Sequence, residues 1–133
     1  PDNPERYRRA LYTHIKRTIP YPIASTFDAP SRELCNQRRI LSNTPVQALA
    51  LLNDTVFREA AIALAARMDK ISAAPEERIR SGYQLVLGRL PDKATTARLQ
   101  KLFDQTQATT QDATAAWQNV ATVLLNLDEV LTK

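Results

Sequence analysis

TPVQALALLND, residues 44–54, is the stretch of this 133-residue chain with the strongest structural signal. A threonine followed by proline is typical of a helix start, because the hydroxyl accepts a hydrogen bond from a first-turn amide and proline suits the first helical position. Apolar side chains then recur at helical spacing, at Val46, Leu49 and Leu52. The stretch therefore predicts a helix that begins at Thr44-Pro45.

The end of this helix is open to two interpretations, because the apolar stripe continues through Val56 and Leu64. One long helix and two separate helices both fit that periodicity. Asn and Asp, however, prefer helix caps to helix interiors. We therefore expect a break at Asn53, with Asp54 capping a second helix that runs to about Asp69.

Residues typical of helix starts and helix ends also divide the chain after residue 69 into predicted helices. Pro75-Glu76-Glu77 opens a helix with carboxylates in its first turn, where the helix dipole favours them, and Gly88 is a natural terminator. A further helix is predicted over residues 93–107, followed by a solvated Thr- and Gln-rich connection over 105–112. A last long helix spans about 112–126, and Asp128 caps a final turn.

Upstream of residue 44 the chain is rich in proline. A first helix is predicted over residues 4–18, and Pro20 ends it. Residues 20–30 include three prolines and predict an ordered, extended loop, because proline lacks an N–H and biases the residue before it away from the α region. Ser31 is a candidate N-cap for a short helix to residue 38 or 39.

The helical signals are not interrupted by any period-2 run long enough to indicate a sheet. The predicted fold class is therefore all-α: a single compact orthogonal multi-helix bundle, with an N-terminal helix and a Pro-rich ordered loop, over residues 1–133. Tyr83 and Trp117 are expected core anchors. Close helix packing is expected on the alanines at positions 60, 61, 63, 65 and 66.

The formal net charge of +4 is unevenly distributed. Residues 1–45 contain eight Lys and Arg against four Asp and Glu, whereas residues 46–133 contain ten of each. The chain thus divides into a basic N-terminal part and a neutral helical body. Nucleic-acid binding would require outward-facing clusters of these cations and a steep salt dependence, and we do not expect it.

The supply of reactive side chains limits the chemistry. Cys35 and His14 are the single cysteine and histidine, so the chain cannot supply a four-ligand zinc site or a c-type haem attachment motif. We expect Cys35 to be a small buried residue and His14 to be partly exposed on the first helix. The pairs Glu76-Glu77 and Asp128-Glu129 are adjacent on helices and do not face each other. No cofactor and no catalytic residue is predicted within this chain.

Polar side chains that are able to form a site concentrate between Lys16 and Gln47. In one interpretation, Arg38 and Arg39 lie near free amides at Thr44-Pro45-Val46 and bind a carboxylate, sulfate or phosphate. In the other, Asp28 accepts from Arg38 or Arg39 and pins the loop to the bundle; this is favoured because the anion is already supplied. The candidate residues are Lys16, Arg17, Asp28, Arg38, Arg39, Asn43 and Thr44.

The same segment also carries a family resemblance. Its motifs are Lys16-Arg17, Phe27-Asp28-Ala29-Pro30, Cys35 with Arg38-Arg39, and Asn43-Thr44-Pro45 through Leu52-Asn53-Asp54. Further along, Leu85-x-Leu87-Gly88-Arg89-x-Pro91 and the closing Leu124–Leu131 stretch agree as well. Together they resemble the planctomycete-type family known as domain of unknown function 1553, or planctomycete-specific domain 1.

That resemblance implies a context and no established activity. Such domains usually form the C-terminal part of large exported bacterial proteins, often with a cytochrome-c-like domain elsewhere in the polypeptide. By this resemblance the chain is expected to be part of a larger periplasmic or cell-envelope protein, with any haem held by another domain. Insertion of the chain into a membrane is not expected.

Two functional hypotheses follow. In the first, the chain is a non-catalytic module that docks a preceding domain of the same polypeptide through Lys16–Asn53, which predicts exposed apolar area in that segment. In the second, the segment completes a pocket for an anionic ligand or a glycan that is shared with that domain. The two differ in whether Arg17, Arg38 and Arg39 are paired within the domain or face an open cleft.

Overall fold

A computed structural model of the chain describes residues 4–16, 18–30, 37–38, 42–72 and 74–131. Within these ranges the protein is all-α, as predicted, and no β-strand is present. Two 3₁₀ turns, Pro4–Tyr7 and Ala10–Tyr12, precede the α-helices. The helices are α1 Pro22–Thr26, α2 Pro45–Asn53, α3 Thr55–Ile71, α4 Pro75–Leu87, α5 Lys93–Thr110, α6 Ala113–Leu125 and α7 Asp128–Leu131.

The N-terminal segment is not the continuous helix predicted over residues 4–18. It forms the two 3₁₀ turns and then an isolated backbone bridge between Lys16 and Ile19. Its apolar residues Leu11 and Tyr12 are more than 60% exposed. An amphipathic helix gains most of its stability from packing one face, and here that packing is absent. His14 is exposed, although it does not lie on a helix.

The predicted extended loop over residues 20–30 is also wrong in part, because α1 interrupts it. Pro22 occupies the first turn of α1, where its missing N–H costs nothing. The chain leaves the helix through Asp28, whose φ of 56° lies in the left-handed region that Asp tolerates better than most residues. The short helix predicted from Ser31 lies outside the described residues, apart from Gln37 and Arg38.

The α2–α3 pair confirms the prediction made from residues 44–54. Thr44 caps α2 through a reciprocal pair of hydrogen bonds with Gln47, the third residue of the helix. The backbone N–H of Gln47 donates to the Thr44 hydroxyl, and the backbone N–H of Thr44 donates to the side-chain oxygen of Gln47. Asp54 separates the two helices and caps α3 by accepting from the Val56 amide at 2.8 Å. The break therefore follows from the preference of Asp for the cap.

The downstream helices begin where they were predicted, with one difference in length. Gly88 ends α4 at a φ of 72°. Helix α5 continues to Thr110, so the connection predicted over 105–112 is helical except at its last two residues, although its side chains are mostly exposed. Gln is a good helix former, and the hydroxyls of Thr106, Thr109 and Thr110 bond back to carbonyls four residues earlier.

The core lies among α3, α4, α5 and α6. Both predicted anchors are buried in it: Tyr83 is 4% exposed and Trp117 is 7% exposed. The Trp117 ring packs on Phe103 with the ring centroids 4.3 Å apart. Of the alanines expected at close helix contacts, Ala61 and Ala65 are buried, whereas those at positions 60, 63 and 66 face solvent. The packing face of α3 is thus narrower than its alanine content suggests.

Candidate functional site

The Pro-rich segment and α2 meet at a cluster formed by Asp28, Ser42 and Gln47. The Ser42 amide donates to Asp28 Oδ2 at 2.8 Å, and its hydroxyl lies 2.7 Å from the same oxygen and 2.8 Å from Oδ1. Gln47 Nε2 lies 2.9 Å from the Thr26 carbonyl, 3.0 Å from Ser42 Oγ and 3.3 Å from Asp28 Oδ2. We call these three residues the α2 clasp.

Gln47 is the centre of the clasp. It is 3% exposed and is the buried polar residue of the described core. Its side-chain nitrogen donates to the Thr26 carbonyl, and its side-chain oxygen accepts from the Thr44 backbone N–H at 3.0 Å. Buried amides are tolerated when their hydrogen bonds are made, as they are here. The clasp therefore attaches the loop after α1 to the first turn of α2.

Asp28 is held in the ionised form by these contacts. Hydrogen bonds from the Ser42 hydroxyl, and then from the Ser42 amide and Gln47, keep the pKa of Asp28 below its ordinary value of 3.8. Its described partners are Ser42 and Gln47, and no ion pair joins it to Arg38 within the described chain. Arg39 lies outside the described residues, so its pairing with Asp28 stays a prediction.

The remaining predicted site residues are dispersed. Lys16 and Arg38 are exposed, whereas Arg17, like Cys35, lies outside the described residues. Asn43 contacts a different element: its Nδ2 donates to Asp128 Oδ1 of α7 at 3.0 Å. The structure thus brings together Asp28, Thr44 and the unpredicted Ser42 and Gln47. Gln47 could have been found from the Thr-Pro-x-Gln spacing, which is the signature of a capping box.

The start of α2 offers little to an external anion. The anion-site hypothesis relies on free amides at Thr44, Pro45 and Val46. Pro45 has no N–H, and the Thr44 amide donates to Gln47 Oε1. Beyond Val46, whose amide is the one donor of the three that no internal acceptor takes in the described chain, the Gln47 amide donates to the Thr44 hydroxyl at 3.3 Å. The internal cap therefore takes the Thr44 and Gln47 amides, which leaves the Val46 amide as the donor in this turn for an anion.

A different feature of α2 is prominent at the surface. Val46 is 61% exposed, Leu49 59% and Leu52 50%, although α2 carries no charged residue. Helix α2 packs on α3 and α1 by its other side, where Leu51 is 5% exposed. We call Val46, Leu49 and Leu52 the α2 stripe. Periodicity identified the stripe as helical, but could not tell which face packs, because α2 is apolar on both sides.

Three of the four carboxylates in the acidic pairs at helix starts have partners within the described chain. Glu77 accepts from the Ser72 hydroxyl at 2.7 Å, Glu129 pairs with Arg89, and Asp128 accepts from Asn43. Among the described residues, no group of three His, Cys, Asp or Glu side chains is placed to bind a metal ion. No helix in the described ranges is long and apolar enough to cross a membrane.

Comparison with known proteins gives a family and no activity. Residues 1–103 match the family model described as PSD1, protein of unknown function (DUF1553). That region covers the 3₁₀ turns, the α2 clasp and the α2 stripe, and it ends within α5. The closing Leu124–Leu131 motif therefore lies beyond the matched region. No curated protein and no solved structure matches the chain. Because the match extends over most of its length, the chain belongs to the PSD1 (DUF1553) family.

Proposed function

We propose that the chain is a non-catalytic helical module of a larger exported protein, and that its Lys16–Asn53 segment docks a preceding domain of the same polypeptide. The observation that carries this proposal is the α2 stripe, which leaves three large apolar side chains at least half exposed. Exposed apolar patches on otherwise polar surfaces are typical of interaction sites. The cell-envelope location and a haem in another domain are part of the proposal and rest on the family resemblance.

Helix α2, which carries the α2 stripe, is fixed by contacts at its start and along its inner face, and this suits an interface. The capping box fixes the first turn of α2, the clasp fixes its link to the loop, and Leu51 anchors its inner face. A preordered surface loses little conformational entropy when a partner covers it. Among the described residues upstream of α2, five more large apolar side chains are exposed, namely Tyr7, Leu11, Tyr12, Ile19 and Tyr21.

The size of the stripe favours a tethered partner over a separate one. A stable complex between independent proteins usually buries about 800 Å² on each side, which three side chains of a nine-residue helix do not supply. A domain of the same polypeptide needs less contact area, because the linker maintains a high effective concentration. A second copy of the chain would also bring two basic N-terminal parts together, at an electrostatic cost.

The test compares the 133-residue chain with the polypeptide that also contains the preceding domain. Leu49→Ser is expected to leave the free energy of unfolding of the short chain nearly unchanged. In the longer form it is expected to lower the stability of the domain pair by about 1–2 kcal/mol, the loss of one buried apolar side chain. Calorimetry of both forms measures the difference.

Leu85→Ser is the matched control, because Leu85 is 43% exposed on α4, away from the stripe. It is expected to have the same small effect in both forms. Equal effects of Leu49→Ser in the short and long forms would contradict docking through α2.

The alternative, a pocket for an anion or glycan shared with the preceding domain, is supported by one residue. Arg38 is exposed and makes no ion pair within the described chain, so it is free to face a ligand. Against this, the clasp already occupies Asp28, and the first turn of α2 is capped internally. A glycan or anion affinity that exists only in the longer polypeptide, and that Arg38→Gln removes, would favour the pocket over simple docking.

A further inference from the structure

Residues 4–21, which we call the N-terminal arm, differ from the helical body in both charge and exposure. The arm contains five Lys and Arg, one Glu and no Asp. No described side chain of the arm is buried. Its large apolar side chains that are between 49% and 69% exposed are Tyr7, Leu11, Tyr12, Ile19 and Tyr21. Cations and exposed apolar side chains are therefore interleaved along the arm.

The positive charge of the arm is only partly neutralised within the molecule. Arg8 pairs with Glu5 of the arm at 2.6 Å, and Arg6 pairs with Glu59 of α3 at 2.7 Å. When these two carboxylates are set against the five cations, an excess of three positive charges remains. The helical body, in contrast, is neutral from residue 46 onward. The charge balance of the arm therefore favours an anionic partner.

The arm lacks the fixed shape of helix α2. In its described residues, regular structure is limited to two short 3₁₀ turns and the isolated bridge between Lys16 and Ile19. Contacts of Arg6 and Tyr7 with Glu59 attach its start to α3. A segment with few buried contacts changes its conformation at a low cost in free energy. The arm is thus suited to a partner without a fixed shape, whereas the uncharged α2 stripe is suited to a shaped protein surface.

We propose that the N-terminal arm binds the surface of an anionic lipid bilayer, with its cations at the phosphate headgroups and its apolar side chains at the boundary with the acyl chains. Tyrosine is enriched at membrane–water interfaces, because its ring is apolar and its hydroxyl is polar. Exposed Leu11 and Ile19 gain from the acyl boundary, whereas a nucleic acid offers stacking to aromatic rings and little to aliphatic side chains. The arm lies on the bilayer and does not span it.

The test measures co-sedimentation of the 133-residue chain with lipid vesicles of two compositions. One contains phosphatidylcholine alone, and the other contains about one third phosphatidylglycerol. The chain is expected to bind the anionic vesicles at least about tenfold more tightly than the neutral ones. This preference should disappear in about 1 M salt, where the Debye length falls to about 3 Å.

Arg9→Gln and Lys16→Gln test the contribution of charge. Both side chains are exposed and make no ion pair within the described chain, so their replacement is expected to leave the fold intact. Each substitution should weaken binding to anionic vesicles about fivefold, the contribution of one cation near an anionic surface. Lys101→Gln is the matched control, because it removes an exposed cation from α5, and it is expected to leave vesicle binding unchanged.

Leu11→Ser tests the contribution of apolar contact. Because Leu11 is 69% exposed, this substitution is expected to leave urea unfolding of the chain unchanged. It should weaken binding to anionic vesicles about tenfold, the effect of removing one leucine side chain from an apolar environment. Leu49→Ser is the control from the α2 stripe and is expected to leave vesicle binding unchanged. The docking proposal keeps its own test in the longer polypeptide, so the two can fail separately.

Four results would overturn the proposal. Equal binding to neutral and anionic vesicles would remove the role of charge, as would Arg9→Gln and Lys16→Gln behaving like Lys101→Gln. Unchanged binding in Leu11→Ser would indicate a purely electrostatic contact that any polyanion could make. An equal loss in Leu49→Ser and Leu11→Ser would place the lipid contact outside the arm.

Discussion

Gly82 lies within α4 directly against Met68 of α3. A Cβ built on Gly82 would approach the Met68 Sδ and Cε atoms to 2.7 Å. Met68 has no exposed surface, so its side chain has little room to move aside. The glycine thus permits the close approach of the two helices. From the sequence alone, an isolated glycine within a helix would be expected only to lower the stability of that helix.

Gly82→Ala is therefore expected to destabilise the protein. Alanine favours a helix by about 1 kcal/mol over glycine, but overpacking of a filled core costs about 1–3 kcal/mol. We expect the packing cost to exceed the propensity gain in urea unfolding. Met68→Ala should relieve the clash, so the double variant is expected to lose less stability than the sum of the singles. A stabilised Gly82→Ala protein would show that Met68 yields freely.

Asp28 links stability to pH. Its pKa is lowered in the folded protein, chiefly by the Ser42 hydroxyl, so its hydrogen bonds contribute stability that is fully present above the ordinary value of 3.8. That contribution is lost as the pH falls from this value through the lower folded pKa. Asn tolerates the left-handed backbone at this position, so Asp28→Asn removes the charge without new strain.

In Asp28→Asn, the free energy of unfolding is accordingly expected to fall less steeply with acidification below about pH 4 than in the original protein. Urea unfolding at a series of pH values measures the slope. Ser42→Ala, which removes the main donor, should reduce the same slope while leaving the carboxylate in place. Profiles of the variants that run parallel to the original would contradict a role for the clasp in this pH dependence.

At the scale of elements, α2 shows how burial depends on the neighbouring helix. Leu51 and Leu52 are adjacent leucines, yet one is 5% exposed and the other 50% exposed. Leu51→Ala is expected to cost about 2–4 kcal/mol, whereas Leu52→Ala should change stability by less than about 0.5 kcal/mol. Chemical denaturation of the 133-residue chain distinguishes them. Equal costs would mean that the stripe is buried in solution.

The helices that were predicted well have local signals at their ends. The N-cap at Thr44, the carboxylates after Pro75 and the glycine at position 88 act within one turn of the chain, so they can be read without the tertiary fold. The errors at residues 4–18 and 105–112 have the opposite cause. Residues 4–18 have a helical pattern, but they have no helix to pack against. Residues 105–110 are polar, yet they extend α5, whose earlier turns pack on the core.

For the whole molecule, the excess charge and the buried core lie in different parts of the chain. The excess positive charge belongs to residues 1–45, whereas the buried cluster belongs to α3–α6. Three sets of contacts attach the described N-terminal residues to the helices that follow. Glu59 of α3 binds Arg6 and Tyr7, Phe27 packs on Phe57 with the ring centroids 6.0 Å apart, and the clasp secures α1 to α2. This arrangement leaves apolar side chains exposed in the basic part.

The sequence by itself determined the helical class, most helix ends, the Tyr83 and Trp117 anchors and the uneven charge, because these depend on residues close in the chain or on composition. Only the tertiary structure decided which face of α2 packs and that Gln47 and Ser42 share Asp28. Those outcomes depend on contacts between residues distant in the chain, and a helix that is apolar on both sides, such as α2, does not specify them locally.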